Sequence, residues 1–300
     1  MKKEIKTFLK GIAMGTVDII PGVSGGTMAL ILKIYDKIIN ELRLINLDFF
    51  RNIIKLKIKR AFAPLDWRFL LSLFLGIIIA IIGLAKIISW ALLNYPVYLY
   101  SFFFGLIIIS AVLLLPKKIK LLSIFFGIVG FIIAWTISSL APAQSPETYG
   151  FIFLSGALAI CAMILPGISG AFILLLLGKY EFMISALKNP LFWNNALIIS
   201  VFAGGCLVGL LSFSKLLNYL IKKHYELTLW LLIGFMLGAL NKIWPFKTTI
   251  GNTIINNHEI IIKQRNIWPQ INQELFIAII LAILGLVIGL ILNKIKKTKE

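Results

Sequence analysis

Thr16-Val17-Asp18-Ile19-Ile20-Pro21-Gly22-Val23-Ser24-Gly25-Gly26-Thr27 is answered later in the chain by Leu165-Pro166-Gly167-Ile168-Ser169-Gly170. Each Pro-Gly pair falls near the centre of a long apolar stretch, residues 8–39 in one case and 151–187 in the other. Proline removes a helix donor and collides with the preceding turn, and glycine loosens the backbone. Each stretch therefore reads as two half-helices joined by a bend. Such breaks are tolerated at membrane depth only where protein or a polar cavity satisfies the freed backbone groups.

The solvent around these breaks follows from composition. Of 300 residues, 60% are apolar and 14% charged, with a mean hydropathy of +0.97. A soluble domain is about 45–50% apolar and about 25% charged. Too little polar surface exists to cover a globule in water, so lipid is the solvent for most of the chain. Disorder, a collagen-like fibre and a disulfide scaffold are excluded on the same ground. Cys161 and Cys206 lie inside apolar runs and read as buried small residues. The net charge of +18 would suggest nucleic acid in a soluble protein; here the lysines flank apolar spans as topological signals, and no nucleic-acid partner is expected. Residues 1–15 carry lysines at 2, 3, 6 and 10 and only a short, interrupted apolar run, so no signal peptide is expected there.

Six uninterrupted segments are long enough to cross a bilayer core, which needs about 20 apolar residues: residues 69–93, 97–115, 121–140, 196–217, 227–243 and 275–292. If each broken stretch enters and leaves on one side, 23 of the 30 basic residues share one face, 6 face the other and Lys86 lies within a span. That asymmetry places both termini in the cytoplasm. Full crossing by both broken stretches would make ten spans and leave the termini where they are. Residues 46–65 alternate apolar and basic side chains and read as an amphipathic helix on the cytoplasmic leaflet. The outer loop, residues 245–273, carries two alternating runs around Asn256-Asn257 that suit a small β-hairpin.

The two broken stretches align at an offset of 145, which pairs Leu30, Leu32, Tyr35 and Asp36 with Leu175, Leu177, Tyr180 and Glu181. Further on the offset is 129, pairing Gly76, Lys86, Gly105 and Pro116 with Gly205, Lys215, Gly234 and Pro245. The chain therefore divides into halves, 1–141 and 146–300, of one integrated membrane domain; the amphipathic insertion belongs to the first. Each half holds a broken hairpin and three spans. Three is odd, so the halves face opposite ways, the inverted-repeat plan of many secondary transporters. The expected fold is an all-α polytopic membrane protein of two inverted repeats, each a Pro-Gly-broken re-entrant hairpin plus three transmembrane helices.

Small and polar residues follow each proline: Ser24, Gly25, Gly26 and Thr27 in one half, Ser169, Gly170 and Ala171 in the other. Each set opens a half-helix, whose first N–H groups lack partners and carry partial positive charge. Two such starts brought together suit a phosphate or carboxylate; tight packing of small residues is the competing reading. Asp18 is an acid at apparent membrane depth, where acids mark ion paths, and a proton or Na⁺ on it would couple cation to anion entry. Asp36 and Glu181 sit at matched hairpin exits as further coupling candidates. Lys86 either snorkels to the surface or meets an anionic headgroup.

The stretch from Thr16 to Thr27, with Leu165 to Gly170, resembles the paired signatures of the bacterial polyprenyl-phosphate transporter family, and the likeness extends over essentially the whole chain. Lys33 stands where that family usually has glycine, and Ala171 where serine is common. The resemblance implies a translocase that returns undecaprenyl phosphate from the outer to the inner leaflet of the bacterial cytoplasmic membrane for cell-wall synthesis. It implies no enzyme activity. The rival readings are a lipid-pyrophosphate phosphatase and a transporter of another small anion. A phosphatase wants a nucleophile or base and cations on the leaving phosphate. His224 and His258 fall in loops, and arginines 43, 51, 60, 68 and 265 lie outside the spans. No catalytic residue, metal site or cofactor is expected.

Overall fold

The computed structural model describes residues 2–297 apart from 21, 22, 117, 118, 141, 144, 256 and 257. The first break, Pro21-Gly22, lies outside the described residues. The chain is a mostly helical, multi-pass membrane protein. Six helices are long and apolar enough to cross a membrane: α6 (Trp67–Asn94), α7 (Pro96–Leu114), α8 (Leu121–Ser139), α12 (Trp193–Lys223), α13 (Tyr225–Ile243) and the Gln273–Asn293 part of α14 (Gln273–Lys297). These are the six segments expected from hydropathy. Pro96 opens α7, where its fixed φ suits the first turn and no donor is lost. Half of α13 and 39% of α7 are buried, against 17% of each of the other four. The pair α7–α13 therefore forms the centre, and Ile107, Leu232, Ile233 and Met236 lie in the core around it.

The broken stretches hold three helices each, one more than the single bend expected. The first is α1 (Lys2–Asp18), α2 (Gly25–Ile31) and α3 (Tyr35–Leu44); the second is α9 (Tyr149–Ile164), α10 (Gly170–Leu176) and α11 (Tyr180–Lys188). The added break is a left-handed residue closing the short middle helix. Lys33, at φ 53°, donates its N–H to Leu30 and is followed by Ile34 bonding Ala29; Gly178, at φ 63°, donates to Leu175 and is followed by Lys179 bonding Leu174. The chain bends by 107° between α10 and α11. No proline marks this turn, and lysine at position 33 hides the glycine signal in the first half.

Helix packing recurs in matched pairs. Helix α1 packs on α6 and α9 on α12; α7 packs on α14 and α13 on α8. A Cβ on Gly76 would lie 2.2 Å from the Phe8 carbonyl oxygen, and one on Gly205 1.9 Å from that of Phe153. Gly11 abuts the Leu73 carbonyl as Gly156 abuts that of Phe202. Gly105 meets the Ala282 carbonyl where Gly234 meets that of Gly127. Gly285 meets Phe102 where Gly130 meets Leu231. These contacts relate α1–α3 to α9–α11 at an offset of 145, α6–α7 to α12–α13 at 129, and α8 to α14 at 155. The last step reflects the outer loop, which has no counterpart in the first half.

Residues 46–65 form two short helices, not one. Helix α4 (Leu47–Ile54) and α5 (Ile58–Phe62) are separated by Leu56 at φ 56°. Asn46 caps α4 by accepting from the Phe49 N–H, and Phe49 meets Phe62 edge-on at 5.3 Å, folding the pair together. In the outer loop, β1 (Lys247–Ile255) pairs antiparallel with β2 (His258–Asn266), with an irregularity near Gly251.

Candidate functional site: the crossing of the two breaks

Residues Ser24–Thr27 meet residues Ile164–Gly167 directly. Ser24 takes the N-cap position of α2, where its hydroxyl accepts from the Gly26 N–H at 3.1 Å and donates to the Leu165 carbonyl at 3.2 Å. The Thr27 hydroxyl accepts from the Gly167 N–H at 2.8 Å. Tyr35 reaches the Ile164 carbonyl at 3.1 Å. Each contact satisfies a backbone group that a helix break leaves open, in surroundings where water cannot. Gly167 holds φ 86°, and a Cβ there would meet the Phe235 carbonyl at 2.6 Å, so glycine is required on both counts.

Asp18 occupies the start of α2. Its carboxylate accepts from the Gly25 N–H at 2.6 Å, and a Cβ on Gly25 would lie 2.6 Å from both carboxylate oxygens. An internal anion thus sits at one of the two helix starts. The other start differs. Ser169 is the N-cap of α10 and makes no side-chain cap bond. A Cβ on Gly170 would meet the Ala159 carbonyl at 2.6 Å, so this glycine also lets α10 approach α9. Pro166 is fully buried and Ala171 is exposed.

The remaining candidates lie elsewhere. Asp36 lines a cavity of about 390 Å³ with Lys33, Tyr35, Tyr225 and Thr228. Glu181 and Lys86 are exposed, and neither makes an ion pair among the described residues. Gly83, one turn before Lys86, has open space around it. Among the described residues no group of three or more His, Cys, Asp or Glu could hold a metal ion.

Two features lie outside the expected set. Tyr35 bridges to the second break; its repetition at Tyr180 was the one signal available. At the far end of α13, the Lys242 ammonium stands 4.6 Å over the Phe172 ring of α10, and Lys247 donates to the Lys242 carbonyl while standing 4.6 Å over Tyr100. Burial, and then the neighbouring Lys242 charge, push the Lys247 ammonium down to about 7.

A family model described as undecaprenyl phosphate translocase-like matches residues 14–262. A polyprenyl-phosphate transporter of Vibrio cholerae is 42% identical over 298 residues, covering 95% of this chain and 96% of the relative. A polyprenyl-phosphate transporter of Staphylococcus aureus is 30% identical over 309 residues, covering 97% of each. No solved structure matches.

Proposed function

The chain belongs to the undecaprenyl phosphate translocase-like family, and from that premise we propose that it carries a polyprenyl phosphate between the leaflets of the bacterial cytoplasmic membrane. The direction that serves wall synthesis is outer to inner leaflet, returning undecaprenyl phosphate for reuse. The observation that carries this reading is the direct bonding of the segment after the first Pro-Gly pair to the second break, Thr27 to Gly167 and Ser24 to Leu165. It brings Ser24, Gly25, Gly26 and Thr27 together with the segment that leads into Ser169, Gly170 and Ala171, the residues assigned to the headgroup. The matched glycine contacts support two inverted halves with the breaks at their junction, and the basic asymmetry supports cytoplasmic termini.

Asp18 gives the headgroup a competitor. A phosphate arriving at α2 must displace a carboxylate from the Gly25 N–H, and two anions cannot share that donor without repulsion. A proton or Na⁺ on Asp18 removes the repulsion and frees the donor, so cation entry and headgroup entry are linked. Moving the phosphate needs no nucleotide: backbone donors replace water around it, which offsets the several kcal/mol that burial of a bare charge costs.

Proteoliposomes carrying labelled polyprenyl phosphate in one leaflet test this. Leaflet exchange that depends on the protein and on an imposed proton or sodium gradient is the expected result. Released phosphate would identify a phosphatase, and neither exchange nor release would remove the transport reading.

A further inference from the structure

Helices α3 and α12 flank an open groove of about 490 Å³ lined by Arg43, Lys215, Asn218, Tyr219, Lys222 and Lys223. Four of its six lining side chains are cationic and none is acidic. Among the described residues none of the four pairs with a carboxylate; the lysine–carboxylate pairs there are Lys37–Asp66 and Lys120–Glu226. Lys223 is oriented by the Tyr219 hydroxyl at 2.8 Å. Asn218, 7% exposed, lines the same wall. The wall therefore sets an amide beside four cations, none of them neutralised by a carboxylate among the described residues.

The bland explanation is that these lysines mark topology and the helix end. It covers Lys222 and Lys223, in the last turn of α12. It does not cover Arg43, on another helix, Lys215, two turns earlier, or the buried Asn218. The matched positions in the other half are Lys188, Lys86, Ser89, Trp90, Leu93 and Asn94. The second half's α12 thus carries cations where the first half's α6 has Leu93 and Asn94. The groove also adjoins the crossing. Tyr35 bonds the second break and lines the 390 Å³ cavity, whose wall includes Ile221, the neighbour of Lys222.

We propose that Arg43, Lys215, Asn218, Lys222 and Lys223 form a second phosphate site, which receives the phosphomonoester headgroup after it leaves the crossing. The proposal rests on the transport reading for its ligand. A phosphomonoester carries up to two charges and three acceptor oxygens. It matches a cluster of cations plus an amide better than a phosphodiester headgroup, with its single charge.

Full-length protein in phosphatidylcholine nanodiscs is photolabelled with farnesyl phosphate bearing a diazirine in its first isoprene unit, and labelled peptides are mapped. Labelling is expected at both the crossing and the 215–223 segment. Lys222→Gln and Arg43→Gln should each lower labelling of that segment about tenfold, as loss of a charge-assisted hydrogen bond does. Asn218→Asp should abolish it, and Lys59→Gln, which removes the same charge from α5, should leave it unchanged. Protection by excess inorganic phosphate supports recognition of the phosphate group itself; protection by unlabelled farnesyl phosphate alone supports recognition of the lipid headgroup. Labelling confined to the crossing overturns the second site and leaves the transport reading standing. Labelling confined to 215–223 upholds the second site and overturns the crossing. Equal loss in Lys59→Gln, or full protection by phosphatidylglycerol at matched concentration, overturns the proposal in favour of a general anionic-lipid surface.

Discussion

The two broken stretches share one backbone plan and differ in chemistry at matched positions. Asp18, Thr27 and Lys33 of the first correspond to Met163, Phe172 and Gly178 of the second. The middle helices α2 and α10 have the same length, the same serine at the N-cap and the same left-handed closure. Yet Ser24 makes two hydrogen bonds and Ser169 caps nothing. The first stretch therefore supplies side chains and an internal carboxylate, while the second supplies backbone groups and apolar walls. Symmetry here belongs to the packing of helices, because glycine contacts recur across the halves. The polar equipment is one-sided, because two opposed charges or two sets of hydroxyls at one crossing would leave some unsatisfied.

The largest expected effect tests the symmetric part. Gly76→Leu and Gly205→Leu should each abolish recovery of monodisperse protein in size-exclusion chromatography, since even a Cβ falls well inside contact distance of a carbonyl in both places. Gly83→Leu, facing open space, should behave as the unmodified protein. Survival of one tight variant and not the other would break the equivalence of the halves.

Next comes the one-sided part. Asp18→Ala should cut leaflet exchange by about tenfold or more, the scale of a lost charge-assisted contact, while Met163→Ala should leave it within about twofold. Asp18→Asn keeps an oxygen for the Gly25 N–H and should retain lipid binding while losing dependence on the proton or sodium gradient. Normal gradient dependence in Asp18→Asn would remove Asp18 from coupling.

Smaller effects separate the hydroxyls and the turns. Thr27→Val strands the Gly167 N–H and should cost about 1–3 kcal/mol in detergent unfolding, whereas Ser169→Ala should stay within about 0.5 kcal/mol. Lys33→Gly should stabilise by about 1 kcal/mol, because the left-handed region disfavours a side chain, and Gly178→Ala should destabilise by about as much.

The last test is read against pH and concerns Lys247, beside the lysine that covers Phe172. Its folded-state value lies near 7 against 10.5 for a free lysine. Between those values the unfolded chain binds the extra proton, so stability rises with pH across the window. The unfolding midpoint should climb from about pH 7 to 10, and Lys247→Met should flatten that rise.

Hydropathy located the six spans, missing only the polar last turns of α12 beyond residue 217, because in lipid every backbone polar group must be satisfied inside its own helix. Proline and glycine located the second break at Pro166-Gly167, and the alternating runs of the outer loop located its strands. The matched helix pairs were legible through glycines that pack by size. What remained hidden were contacts between residues far apart in the chain. Nothing in the pattern around Asp18 says that its carboxylate reaches Gly25, and nothing near Arg43 says that it shares a groove with Lys222. The additional turn at Lys33 was also hidden, since lysine is a poor marker for a left-handed backbone. Composition and periodicity act through local rules, one helix and one solvent at a time. Which helix start is filled, which hydroxyl finds a partner and which cations converge depend on how the two halves pack, a long-range balance that no single segment carries.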